Sequence, residues 1–351
     1  MRRLRAGLTG RLLAVIALAL LAASCGGPPP PSPPPPQPQL GIDVLWYRHA
    51  RDTPATIGDK AQRIVSYVLA LGANALSISF PFYMSGRRGS HVYALTATPS
   101  PQDLAILVDQ ATAKGLAVNV RPLLNQAAAG GSRGAISPAD RAEWFASYGR
   151  FLAPYLAMAS ARRVSSFTVG SELSSLAADR AWDGLDARVR TIFHGKLSFS
   201  NNWDEFASGR LGGGAVGQES VDAYFPVPLG DAASVRDLAM ALNLWLGMPR
   251  RIDLSAVVIQ EIGIAAQPGS YAHPQSWTGS RERDFGLQAR WYQAMCTVVR
   301  ERHMAGLYFW DIDFNQNVWQ PSPQSDPPLS FIGRQGALAV RSCFADPALS
   351  R

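Results

Sequence analysis

The 351-residue chain has little of what builds metal centres or grips nucleic acid. Its five histidines (His49, His91, His194, His273 and His303) are scattered and none falls in H-E-x-x-H spacing, so no metal site is indicated and no cofactor is implied. Basic residues nowhere form a run interleaved with aromatics, which argues against nucleic acid as a partner. The formal charge of +7 also shrinks on inspection. Four of the 33 basic residues lie in the first eleven positions, leaving 29 against 26 acidic ones, about +3. The leading apolar run, "LLAVIALALLAAS" (12–24), is too short for a comfortable membrane span. There are only three cysteines, too few for a disulfide scaffold.

That apolar run follows Arg2, Arg3, Arg5 and Arg11 and ends at "LAASC", a pattern similar to a bacterial lipobox with Cys25 as the lipidated residue. An ordinary secretory signal cleaved nearby is the alternative. Both predict an exported protein, and the lipobox predicts a membrane-anchored lipoprotein facing the periplasm or cell surface. "PPPPSPPPPQP" (28–38) then reads as a polyproline II spacer of about 34 Å. The expected organisation is a signal over 1–24, a lipidated cysteine and proline-rich linker over 25–39, and one domain over 40–345. In an oxidising compartment Cys296 and Cys343 could form a disulfide or remain two buried thiols, and the sequence leaves both open.

From Leu40 on, short apolar runs alternate with amphipathic ones. Strands are expected at 41–47, 74–82, 116–124, 165–173, 196–203, 221–227, 256–264 and 305–313. Helical periodicity marks 58–72, 100–115, 137–156 and 286–302, with Ser-Pro openings at the second and third. Between the fifth and sixth strands there is room only for a short helix. Eight strands alternating with helices predict an α/β fold, a (β/α)8 barrel in a single domain; an open doubly wound sheet is the competing form.

Two of these strands close on a carboxylate: Glu172 in "SFTVGSELSS" and Glu261 in "SAVVIQEIGIA". A buried acid is costly unless it is paired or part of a site. Catalytic groups of such barrels stand at the C-terminal ends of strands, so the two glutamates are expected to converge at one mouth. Paired carboxylates across a pocket are the apparatus of glycoside hydrolysis. A structural pairing of either glutamate with Arg121 is the bland alternative. Trp46, Arg121, Asn201 and Trp203, also at strand ends, are candidate substrate-binding residues, and the nine tryptophans and ten tyrosines suit flat sugar rings.

The order of Glu172, Tyr224 in "VDAYFPV", Glu261 and Trp310 in "YFWDID" resembles clan A glycoside hydrolases. "VGSEL" and "QEIGI" most resemble glycoside hydrolase family 113, which includes β-1,4-mannanases, over about residues 40–340. The resemblance implies a retaining double displacement with Glu172 as acid/base and Glu261 as nucleophile. It implies that Tyr224 hydrogen-bonds the nucleophile and that Trp310 floors the sugar under attack. Ser171 departs from the Asn that precedes the acid/base in much of clan A, a departure that family 113 shares. The expected partner is a β-mannan-like polysaccharide or oligosaccharide. Alternatives are a hydrolase or transglycosylase of the cell's own exopolysaccharide, and a non-catalytic glycan-binding lipoprotein.

Two glycine patterns lack the context their motifs need. "GGSRG" (130–134) fits G-x-S-x-G, but no strand turns directly into a helix there. "GGGAVG" (212–217) fits G-x-G-x-x-G without following a strand. Both are expected to be loops.

Overall fold

A computed structural model describes residues 37–214, 217–249, 251–276 and 282–349. Cys25, the leader and most of the proline-rich linker lie outside them. Nine strands occur among the described residues: β1 (Gln39–Leu45), β2 (Ala75–Met84), β3 (Val92–Tyr93), β4 (Ala117–Leu124), β5 (Ser166–Ser171), β6 (Lys196–Asn202), β7 (Gln218–Asp222), β8 (Val258–Ile262) and β9 (Gly306–Asp313). All but β3 run parallel, in the order β1-β9-β8-β7-β6-β5-β4-β2, and β1 pairs with β2 to close the ring. This is the (β/α)8 barrel, so the open-sheet alternative is excluded. β3 is a two-residue strand antiparallel to the end of β2.

Among the described residues eight α-helices surround it: α1 (Pro54–Ala70), α2 (Pro101–Ala113), α3 (Arg141–Ala161), α4 (Ala181–Arg190), α5 (Trp203–Ser208), α6 (Val235–Leu246), α7 (Phe285–Glu301) and α8 (Gln335–Phe344). Ser100 caps α2, accepting from the Asp103 N–H while Asp103 bonds back, with Pro101 at the first turn. The similar opening at Ser137 does not start α3. The Ser137 N–H goes to the Arg87 carbonyl, and Asp140 caps the helix instead, accepting from Glu143. α5, of six residues, is the short connection expected there. Cys296 on α7 and Cys343 on α8 form a disulfide with Cα atoms 5.8 Å apart.

Most of the strands' apolar side chains join the core shared with the helices, while small polar ones such as Ser77, Asn119 and Thr168 bond one another inside the barrel. At the bottom of the barrel Ala75, Val258 and Tyr308 pack together. A Cβ at Gly41 would collide with the Tyr308 ring, so glycine is required there. Above them Asn119 donates to Ser77 (3.2 Å) and Thr168 (3.1 Å), and Ser166 donates to Asn119 (3.1 Å). Buried polar groups demand such partners. The next layer up is ionic.

Register shifts decide which residues reach that layer. In β8 the pairing jumps from Val221↔Ile259 to Asp222↔Glu261, skipping Gln260. Strict alternation from inward-facing Val258 would have turned Gln260 in and Glu261 out; the bulge reverses this. A similar shift between Thr168 and Gly170 brings Ser171 into the barrel.

Candidate active site

Glu261 is gripped at both carboxylate oxygens. The Tyr224 hydroxyl donates to Oε2 at 2.7 Å, and Arg121 Nη1 donates to Oε1. Tyr224 reaches it because the sixth barrel strand ends at Asp222, short of the expected 227. The Ala223 N–H then donates to the Glu261 carbonyl at 2.8 Å, turning the chain towards the acid. Burial and the Glu261 charge push the Tyr224 phenol well above its ordinary range, so it stays a donor.

Arg121 is fully buried, and its other arm donates to Ser171 Oγ and to Asp222 Oδ2 at 2.8 Å. Asp43 Oδ2 lies 3.6 Å from Nη1 and accepts from Ser79 at 2.9 Å; Ser200 donates to Asp222 Oδ1 at 2.7 Å. Three carboxylates thus surround one guanidinium. Burial, only partly offset by Arg121, pushes Asp43 up to about 7 and Asp222 well above the carboxylate range. Both thus hold a proton more readily than a free carboxyl does, which limits the negative charge around Arg121.

Glu172 is the first residue past β5. Its φ of 52° is left-handed, uncommon outside glycine, and its N–H donates to the Ser200 carbonyl at 2.9 Å. The side chain is 15% exposed, and Arg133 Nε lies 3.6 Å from Oε2. Burial raises the Glu172 carboxyl, the Arg133 charge opposes that rise, and the Glu261 charge adds to it.

Glu172, Glu261, Tyr224 and Trp310 line one cavity of about 310 Å³. Trp310, 8% exposed, also lies over the Arg121 guanidinium, 5.9 Å from centroid to carbon, and its bond to Asp311 is cis. An adjoining cavity of about 470 Å³ shares Gln126, Tyr224 and Gln275 and adds Trp203, which packs edge-on against Trp245 at 5.3 Å. The cleft therefore continues past the acids.

Three of the expected substrate contacts fall elsewhere. Trp46 is wholly buried and stacked on Phe314 with centroids 3.9 Å apart, so it is core. Arg121 sits beneath Glu261 rather than beside a ligand, with no exposed surface. Asn201 is buried too, accepting from the Gly212 N–H at 2.8 Å and donating to the Ser220 carbonyl at 3.2 Å, where it anchors the glycine loop. Its neighbour Asn202 lines the cavity instead, as do Gln126, Arg133 and Gln275. Arg133 comes from "GGSRG" (130–134), the loop that fits G-x-S-x-G only by its letters. A Cβ on Gly134 would stand 3.3 Å from the Glu172 carbonyl, which shows how closely this loop covers the acid. A loop bears no periodicity, so only the cluster of small residues around Arg133 marked a tight approach.

A family model described as Glycoside Hydrolase Family 113 matches residues 53–326. Among solved structures, the chain is similar to a family 113 β-1,4-mannanase at 17% identity, with a TM-score of 0.73 over 88% of this chain and 99% of that one. The family 113 β-mannanase of Alicyclobacillus acidocaldarius, solved in complex with ManMIm, matches at 22% identity and TM-score 0.73, over 88% and 97% of the two chains. A family 5 protein from Streptomyces cattleya in complex with GlcNAc matches at 14% identity and TM-score 0.54, over 87% and 80%. No curated protein matches the sequence. At such identities the structural likeness is one of fold.

Proposed function

The chain belongs to glycoside hydrolase family 113, and from that premise we propose that it cleaves a β-mannan-type polysaccharide with retention, Glu172 acting as acid/base and Glu261 as nucleophile. The carrying observation is the contrast between the two acids. Glu261 is fixed by two donors on a buried scaffold, whereas Glu172 has no such grip and a raised affinity for its proton. In the first step a Glu261 oxygen bonds to the anomeric carbon as the glycosidic C–O bond breaks. The Glu172 proton passes to the departing oxygen. Glu172, now ionised, takes a proton from water, whose oxygen displaces Glu261 and restores both carboxyl groups. Tyr224 and Arg121 are positioning residues that hold the nucleophile, and Trp310 offers an aromatic face to the sugar. The Cys296–Cys343 disulfide is consistent with the further proposal that the protein works outside the cytoplasm, tethered through Cys25.

Reducing-end release from a panel of β-mannans, β-glucans and xylans, beside a Glu261→Ala variant, tests the reading. Release from mannan that the variant loses is the expected result. Mannan left intact by the folded parent while another polymer is cut would refute the substrate. Equal activity in the variant would refute the nucleophile.

A further inference from the structure

Arg133 is a guanidinium without the partners that buried arginines in this fold otherwise have. Its side chain is 15% exposed and lines the cavity beside Glu172. Among the described residues its one ion pair, at 3.6 Å, is longer than a hydrogen bond, and Nε has no partner. Arg334, also buried, donates to the carbonyls of Pro323, Asp326, Pro327, Pro328 and Ser330. Arg121 likewise spends both terminal nitrogens on Glu261, Ser171 and Asp222, although its Nε too is unpartnered. At Arg133 the Nε is buried without a partner, and the side chain lines the cleft.

The Arg133 counter-charge is also temporary. Glu172 must carry a proton when it meets the substrate, and it then no longer neutralises the guanidinium. Glu261 is no substitute, since Arg121 and Tyr224 already occupy its oxygens. A neutral sugar hydroxyl could accept a hydrogen bond from Arg133, but it would leave a largely desolvated charge unpaired, which is costly. Two more arginines lie on the loop that adjoins this one, although Asp204 near Glu172 is acidic. Exposed Arg87 and Arg88, on the loop after β2, are stitched to the Arg133 loop by bonds from the Ser137 and Ala139 N–H groups to their carbonyls, at 2.8 and 3.0 Å. Such charges draw anions towards the mouth.

We propose that this cleft takes an acidic β-linked chain, with Arg133 pairing the carboxylate of a uronate-type sugar on the side of the departing group. The proposal rests on the hydrolase reading above and narrows its substrate: among β-mannan-type chains, one that carries carboxylates is preferred over the neutral one. A planar guanidinium binds a carboxylate through two parallel bonds, which a hydroxyl cannot match.

The test compares β-1,4-mannotetraose with β-1,4-tetramannuronate, the same backbone carrying carboxylates. Binding is measured by calorimetry on the full chain bearing Glu261→Gln, with and without Arg133→Gln or Arg133→Lys. The mannuronate is expected to bind about tenfold tighter or more, the scale of one charge-assisted bond. Arg133→Gln should cut that preference to about twofold or less, and Arg133→Lys should keep part of it, since it keeps the charge. Equal or weaker binding of the mannuronate, no binding of either, or a preference that survives Arg133→Gln would each overturn the proposal. Turnover by the parent is read separately: discriminating binding with no cleavage of either oligomer would sink the hydrolase reading and leave the acid preference standing.

Discussion

Arg121→Met would remove the guanidinium and leave its three acids in place. The side chain has no exposure, and it donates to Glu261, Ser171 and Asp222 with Asp43 at 3.6 Å. Taking one partner from a buried pair costs about 3–5 kcal/mol, because the charge left behind is uncompensated. Here the penalty should depend steeply on pH. Asp43 already titrates near 7 and Asp222 well above the ordinary range, and without Arg121 both rise further. A carboxyl whose folded pKa exceeds its unfolded one binds a proton on folding. Stability is then greatest below the unfolded pKa and is lost as pH climbs towards the folded one. Each added unit of elevation costs about 1.4 kcal/mol once pH passes the folded pKa. Urea unfolding of parent and variant at pH 5 and pH 8 reads this directly. The variant should lose about 3–5 kcal/mol at pH 8 and at least about 2 kcal/mol less at pH 5. Adding Asp222→Asn should recover part of the loss, at pH 8 only. An equal loss at both pH values would mean that Arg121 matters for its volume and not its charge, and would refute the electrostatic account.

Further tests address the cleft and the scaffold. Tyr224→Phe deletes the donor to Glu261 Oε2, and kcat on mannan should fall about 10–100-fold with little change in KM, the scale of one bond to a charged group. A rise in KM with kcat unchanged would instead make Tyr224 a sugar contact. Arg133→Gln removes the influence that opposes burial at Glu172, so the alkaline limb of kcat/KM against pH should move to higher pH. A limb that stayed put or moved down would contradict the acid assignment. Replacing Cys296 and Cys343 together by serine opens a link across 47 residues, and chain entropy alone predicts a loss of about 4 kcal/mol in unfolding free energy. A loss under about 1 kcal/mol would show that the Cys296–Cys343 link restrains the unfolded chain far less than chain entropy predicts.

Part of the site was legible because barrel geometry is repetitive. With eight strands in the pattern, the rule that function gathers at strand C-termini singled out Glu172 and Glu261, and Trp203 in the adjoining cavity, whereas Trp310 came from the family resemblance. The same rule also selected Trp46 and Asn201, and there it failed. A strand end has two sides, and Trp46 turns to Phe314 while Asn201 turns to the Gly212 loop. Arg133 escaped detection because it lies in a loop, where no period relates position to direction.

What the sequence determined by itself was local: the strand and helix runs, and the cap at Ser100 with Pro101. Each follows from side-chain chemistry acting over a few residues. What only the tertiary structure decided was which side chains enter the barrel. Inward-facing Val258 leads, by alternation, to Gln260 and not to Glu261. The bulge that corrects this exists because β8 must pair with β7 on one side and β9 on the other, and both pairings shift register there. The ionic layer is likewise assembled from five strands. Asp43, Arg121, Ser171, Asp222 and Glu261 are far apart in the chain, and ring closure alone brings them within reach of one guanidinium.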